Sequence, residues 1–192
     1  MMGTGRDAAL PDCELDDKLI VARVVSGERA LYRFLVERHQ RQVNALGLSF
    51  LRNRDDAADF SQEVFFKAFH CLGQFEGAAR FSTWLYRIAY NTALNKVNRR
   101  KEYLSLADNY EAESLGLSPE EESVKEAVRQ AVRQAVAELP ERYRICIDLF
   151  FFYDRSYEEI EAITGDPVGT IKSHVFRAKK ILREKLRDLQ GV

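Results

Sequence analysis

Ser156 to Arg187, reading SYEEIEAITGDPVGTIKSHVFRAKKILREKLR, decides the fold of this chain. Ser156 and Glu159 stand at the S-x-x-E spacing of a capping box, so a helix is expected to begin at Tyr157. It can run only about two turns, because Gly165-Asp166-Pro167 stops it. Asp166 is placed to cap the next helix, and Pro167 suits a first helical position, where no N–H is needed. Two helices joined by a tight glycine-containing turn make a helix-turn-helix.

The second of these helices carries the clue to a ligand. At about 100° per residue, Val168, Ile171, Val175, Ala178 and Leu182 share one face and are expected to pack inward. Thr170, Lys172, Ser173, Phe176, Arg177 and Lys180 are then the candidate DNA contacts, with Ser173, Phe176, Arg177 and Lys180 outward. From Pro167 to Arg187 there are seven Lys/Arg against Glu184 alone, a local charge of +6 in a chain whose total is −1. Lysines and arginines suit phosphates, and Ser173 and Arg177 could reach base edges in a major groove. Charge alone would fit a solvated basic helix equally well. The caps, the short first helix and the outward Phe176 tip the reading to DNA.

A chain of 192 residues, 46% hydrophobic and 31% charged, fits one large or two small soluble domains with real cores. No apolar run approaches the roughly 20 residues that span a membrane. The N-terminus has acids and Pro11 where a signal peptide needs basic and then apolar residues, so a cytoplasmic protein is expected. Cys13, Cys71 and Cys146 are odd in number and widely spaced, which argues against a disulfide framework. His39, His70 and His174 make no metal-ligand spacing with them, and no metal or cofactor is expected.

Taken in order, residues 1–14 read as a disordered lead. Leu15, Leu19, Ile20 and Val24 mark a short amphipathic helix to about Val25. A longer one is expected over Glu28–Leu51, with Leu31, Phe34, Leu35, Val43, Leu46, Leu48 and Phe50 as core residues. Arg52 to Asp55 is a turn with cap chemistry, and a third helix spans about Asp56–Leu72, with Phe60, Val64, Phe65, Ala68 and Leu72 inward. The fourth starts near Ser82 and runs to about Lys101. Between Tyr103 and Ser118 the periodicity fails. From Asp108 to Glu126 there are seven acids and one lysine, a net of −6. Ser118-Pro119-Glu120-Glu121 restarts helix with another capping box. Val124, Val128, Val132 and Val136 form a stripe, and a helix over Glu141–Tyr153 puts Ile145, Leu149 and Phe152 on one face. No stretch alternates with the period of a strand. The expectation is all-α: a helical domain over 15–102, an acidic flexible linker over 103–118, and a helix-turn-helix domain over 119–190.

Two more constellations matter. Arg80 to Lys101 holds six Lys/Arg and no acid, interleaved with Phe81, Trp84, Tyr86 and Tyr90. Arg87, Asn91, Asn95 and Asn98 form one polar stripe along it. Positive charge, rings and amides suit unstacked bases, which makes Arg80, Trp84, Arg87, Asn91, Asn95, Arg99 and Arg100 candidate contacts. A core role for the rings, with solvated basics, fits the segment equally well. In the third helix, Asp55, Asp56, Asp59 and Glu63 cluster. A di-iron bundle needs Glu-x-x-His pairs, which are absent, so these acids read as a solvated face or a dock for a basic partner. No catalytic constellation or glycine-rich phosphate loop is present.

Together these segments resemble the bacterial sigma factors of the extracytoplasmic-function (ECF) group. Asp56 to Phe69 (DAADFSQEVFFKAF) is similar to that family's polymerase-binding motif, and Phe81 to Ala93 (FSTWLYRIAYNTA) to its −10-reading segment. Leu139 to Tyr143 is similar to the opening of its second domain. Tyr157 to Ile160 with Pro167 to Ser173 is similar to its −35-reading helix-turn-helix. The resemblance covers about residues 15–188 in order and spacing. It implies that Asp56, Asp59, Gln62 and Glu63 dock on core RNA polymerase, that Asn91 and Asn95 lie near a flipped −10 base, and that Lys172, Ser173, Phe176, Arg177 and Lys180 read promoter DNA at −35. It implies no enzymatic activity and an anti-sigma partner. Two other classes remain open here: a helix-turn-helix regulator acting without polymerase, and a metal-dependent nucleic-acid enzyme. The sequence departs from the family pattern at Glu161, usually alanine where the two helices cross, and at His174, often arginine.

Overall fold

Side chains at the N-cap start two of the described helices, at Asn53 and at Ser156. The computed structural model describes residues 15–106 and 124–187, with side chains over 15–99 and 128–187. The expected lead 1–14, most of the linker, the Ser118 capping box and Cys13 lie outside those residues. The helices are α1 Asp17–Val25, α2 Tyr32–Leu51, α3 Arg54–His70, α4 Phe81–Leu106, α5 Val124–Ala137, α6 Glu141–Ile147, α7 Tyr157–Thr164 and α8 Val168–Lys185, with no strand among the described residues. Single 3₁₀ turns at Arg29–Leu31 and Leu72–Gln74 join the first helices. The Asn53 side chain caps α3, accepting from the amides of Asp55 at 2.8 Å and Asp56 at 3.0 Å. Asp55 and Asp56 then place negative charge at the positive end of the helix dipole. α4 continues through Leu106, so the first four residues of the expected linker are helical.

α1 to α4 bury Ile20, Leu35, Val43, Leu46, Phe60, Val64, Ala68, Phe81 and Leu85. Each large apolar side chain so buried contributes about 1.5–3 kcal/mol. α2 and α3 approach closely at Gly47, where a Cβ would stand 2.4 Å from Cδ1 of Phe60. The second unit, α5 to α8, buries Ile145, Leu149, Ile160, Ile163, Ile171, Val175 and Ala178. α7 and α6 both pack under α8.

Three expectations are corrected. The expected helix over Glu141–Tyr153 does not stay α-helical: Asp148–Phe152 is a wider π-helical turn. Ile145 and Leu149 are buried as expected, but the extra residue per turn shifts the register and leaves Phe152 62% exposed. Leu19 and Val128 lie at the edges of their stripes and are exposed. Finally, Pro167 precedes α8 as its N-cap residue and Asp166 supplies no cap. The two units also touch, α4 packing along α7, a contact that periodicity did not suggest.

Candidate nucleic-acid and polymerase interfaces

The helix-turn-helix forms from the chemistry its sequence announces. The Ser156 hydroxyl accepts from the Glu159 amide at 3.1 Å, and the Glu159 carboxylate accepts from the Ser156 amide at 3.0 Å. Gly165 ends α7 in the left-handed region at φ 80°, which suits a residue with no Cβ. α8 then leaves the turn with no cap from its own N-cap residue. Glu161 fills that role, its Oε1 accepting from the Val168 amide at 3.2 Å. The family departure at 161 is thus a side chain bent outward, as the resemblance requires, and used as a cap.

Ile171, Val175 and Ala178 of α8 are buried, while Thr170, Lys172, Ser173, Phe176, Arg177 and Lys180 are all exposed. Phe176 is 71% exposed, an unusual position for a phenyl ring without a partner. Ser173 rests on its own helix, donating to the Gly169 carbonyl at 3.0 Å. Arg177 lies 3.5 Å from the Tyr143 hydroxyl, a contact weak enough to release to DNA. Lys172 sits over the Tyr157 ring at 5.5 Å. His174 faces the other way: its ring lies 5.3 Å from that of Tyr143, and its Nδ1 is 3.8 Å from the Cys146 sulfur. It is therefore half-buried against Tyr143 and Cys146, unlike the exposed Arg177 and Lys180.

Arg80, just before α4, and Arg87, Asn91, Asn95 and Arg99 on it are exposed. Arg100 is on the same helix, with its side chain outside what the structure describes. The rings divide. Phe81 and Tyr86 are buried, as a core role requires, and Trp84 is half-buried with Phe75 at 5.6 Å and Phe81 at 5.7 Å. Trp84 thus leaves only part of its ring open to a base. The exposed amides and arginines are what remains for nucleic acid.

On α3, Asp56, Asp59 and Gln62 are exposed. Glu63 is engaged within the unit, accepting from Lys67 at 2.6 Å and pairing with Lys96 of α4 at 2.9 Å. Burial would raise its carboxyl, but the hydrogen bonds from Lys67 and Lys96 outweigh this and hold it below the usual range. Beside Gln62 an open groove of about 970 Å³ runs between α2 and α3. Phe65, Phe66, Phe69 and Val36 line it, and Arg29, Arg33 and Arg41 border it. Phe66 is 65% exposed there. Sequence reasoning missed this groove; the signal was the Phe65-Phe66 pair, since adjacent helical residues diverge by about 100° and both cannot face the core.

Cys146 is buried, and burial first, then Asp166, pushes its thiol up to about 11, far from a reactive thiolate. Among the described residues no His, Cys, Asp and Glu side chains gather as a metal site, and no helix is long and apolar enough to cross a membrane.

Known proteins match this arrangement along most of the chain. The family model of Sigma-70 region 2 matches residues 35–103, which hold α3 and nearly all of α4. That of Sigma-70 region 4 matches residues 129–182, which hold the helix-turn-helix. The ECF RNA polymerase sigma-E factor of Escherichia coli strain K12 is 37% identical over 186 residues, spanning 92% of this chain and 97% of that protein. The RNA polymerase sigma-H factor of Pseudomonas aeruginosa is 33% identical over 183 residues, spanning 90% and 95%. In structure, the chain is similar to the sigma factor RpoE in complex with the anti-sigma factor NepR from Bartonella quintana, with a TM-score of 0.71, 27% identity, and 81% of this chain and 96% of that one covered. CnrH in complex with the cytosolic domain of CnrY follows at a TM-score of 0.66 and 25% identity, with 90% and 97% covered. A regulator acting without polymerase is disfavoured by the region 2 match. The acid-bearing α3, the basic α4 and the helix-turn-helix, in that order and over nearly the full length of these relatives, make the chain a member of the ECF RNA polymerase sigma factors.

Proposed function

We propose that this sigma factor divides its work between two units, residues 15–102 docking on core polymerase and taking up the opened −10 element, residues 119–190 reading the −35 element as duplex. The observation that carries the proposal is the two-sided character of α8. Ile171, Val175 and Ala178 are buried, while Ser173, Phe176 and Arg177 project from the opposite side. That is the geometry of a helix laid in a major groove, where arginine pairs with guanine and a ring can meet a thymine methyl. The amides of Asn91 and Asn95 suit unpaired bases instead.

For polymerase, Gln62 lines the Phe66 groove and Asp56 and Asp59 are exposed on the same helix, so a helix with an apolar stripe for the groove and basic residues for the α3 carboxylates fits there. Glu63 supports this face by tying α3 to α4. The chain performs no chemistry of its own and works in the cytoplasm, where polymerase and promoters are. An anti-sigma factor of the kind that NepR is to RpoE is the regulatory partner we propose. Run-off transcription with core polymerase on a randomised promoter library tests the reading. Enrichment at two separated elements supports it; transcripts that are indifferent to sequence would refute it.

A further inference from the structure

The π-helical turn at Asp148–Phe152 keeps three consecutive phenyl rings out of the core: Phe150 is half-buried, Phe151 is 52% exposed and Phe152 is exposed. A single exposed ring is ordinary, but a cluster of them marks a surface with work to do, and π turns recur at such places. Two of these rings meet positive charge. The Lys179 ammonium of α8 lies 4.9 Å from the centre of the Phe151 ring and 5.7 Å from that of Phe150. Phe150 in turn stacks on Tyr157 of α7, with ring centres 4.9 Å apart and planes 16° from parallel. The Lys172 ammonium stands 5.5 Å from the Tyr157 ring. Phe151, Phe150 and Tyr157 thus form an aromatic strip with a lysine of the reading helix at each end.

Lys172 and Lys179 point in directions only about 20° apart and are separated by roughly 10.5 Å along the helix axis, since they are seven residues apart. Ile171, Val175 and Ala178 are buried, and Ser173, Phe176, Arg177 and Lys180 face out. The two lysines therefore lie on one flank between these faces. The half-buried His174 lies on the other flank, against Tyr143. A helix about 10–12 Å across fills a major groove about 12 Å wide, so its outward face meets base edges and its flanks meet the phosphate walls. A free lysine loses rotamer freedom when it grips a phosphate. A ring within about 6 Å restrains the ammonium before DNA arrives. Unlike a carboxylate, the ring is neutral and leaves the whole positive charge for the phosphate.

We infer that Lys179 is a phosphate contact of the −35 duplex, and that Phe150, Phe151 and Tyr157 are positioning residues that hold Lys179 and Lys172 against one wall of the groove. The inference rests on the reading of α8 as the duplex-reading helix. The strip carries no base preference of its own. It strengthens every duplex alike and sets the rotation of α8 in the groove, because only this flank carries lysines braced on rings.

The test measures binding of the full-length chain, over a series of salt concentrations, to a −35 duplex taken from selected promoters and to a scrambled duplex. Lys179→Ala should weaken binding to both by the same factor, and the plot of log affinity against log salt should become less steep by about 1. Phe151→Leu keeps the charge, so it should keep the slope while losing roughly two- to fivefold in affinity. The double variant should bind no more weakly than Lys179→Ala alone, because the ring acts through the lysine. Lys179→Arg, which also stacks on rings, should restore both affinity and slope. An unchanged slope in Lys179→Ala, a loss confined to one of the two duplexes, or a Phe151→Leu loss that adds in full to that of Lys179→Ala would overturn the inference. Failure of the underlying reading looks different: Arg177→Ala would then leave the ratio of selected to scrambled affinity unchanged, whatever Lys179→Ala does to the slope.

Discussion

Glu161 on α7 caps the recognition helix: its carboxylate accepts from the Val168 amide at 3.2 Å, across the turn of the helix-turn-helix. Pro167 can offer no side-chain oxygen, so this bond satisfies an amide at the start of α8 that would otherwise depend on water. Glu161→Ala should cost about 1 kcal/mol, the usual worth of a cap, and weaken −35 duplex binding. Glu161→Gln should keep most of both. Urea unfolding and binding to a −35 duplex check it, and full activity of the alanine variant would show that the cap does no more than occupy space.

His174 turns into its unit against Tyr143 and Cys146 and leaves a gap in the basic surface of α8. His174→Arg should swing outward and add a phosphate contact. Promoter affinity then rises at low salt, and the plot of log affinity against log salt steepens by about 1. An unchanged slope would place position 174 away from the backbone.

Asp17 joins α1 to α2, accepting from Arg38 at 2.7 Å and lying 2.7 Å from Nε2 of His39. Burial raises its carboxyl, but the bonds to His39 and Arg38 outweigh this and its pKa is lowered. A lowered carboxylate contributes stability that is complete above its unfolded pKa, about 3.9, and is lost as pH falls through the folded value. Asp17→Asn should therefore cost about 1 kcal/mol near neutrality, with the gap from wild type closing below about pH 4. A gap independent of pH would remove the charge from the explanation.

The periodic parts of the fold were legible, and the long-range parts were not. Ser156, Glu159 and Gly165 declare a helix start and stop within a few residues, because caps are local chemistry. The Ile171–Val175–Ala178 stripe follows from helical spacing alone. Asp148 reads as surface in any one-dimensional pattern, yet it is buried against Ser49, 99 residues away. Phe152 was misplaced because a π-helical turn breaks the 3.6-residue period on which the reading relied. At the candidate site, the exposed face of α8 was legible. The engagement of Glu63 by Lys96 was not, since it depends on how α3 crosses α4.

That crossing separates two residues that the sequence treats alike. Asp59→Ala should weaken binding to core polymerase with stability unchanged to within about 0.5 kcal/mol, as for an exposed residue. Glu63→Ala should also lower stability, because it strands Lys67 and Lys96. Phe66→Ala, in the groove, should behave as Asp59→Ala does. Pull-down with core polymerase and urea unfolding together distinguish the three, and equal core affinity for all would remove docking from this face.

The division of labour itself is tested most directly by selecting active promoters from a randomised library with holoenzyme carrying wild-type chain, Arg177→Ala or Asn91→Ala. Arg177→Ala should relax preference only at the upstream element, by about 1–3 kcal/mol, the worth of a base contact. Asn91→Ala should leave that element alone and impair the downstream one, with transcription partly restored on a promoter opened in advance by a mismatched bubble. A shift in preference at the same element by both variants would contradict one unit per element.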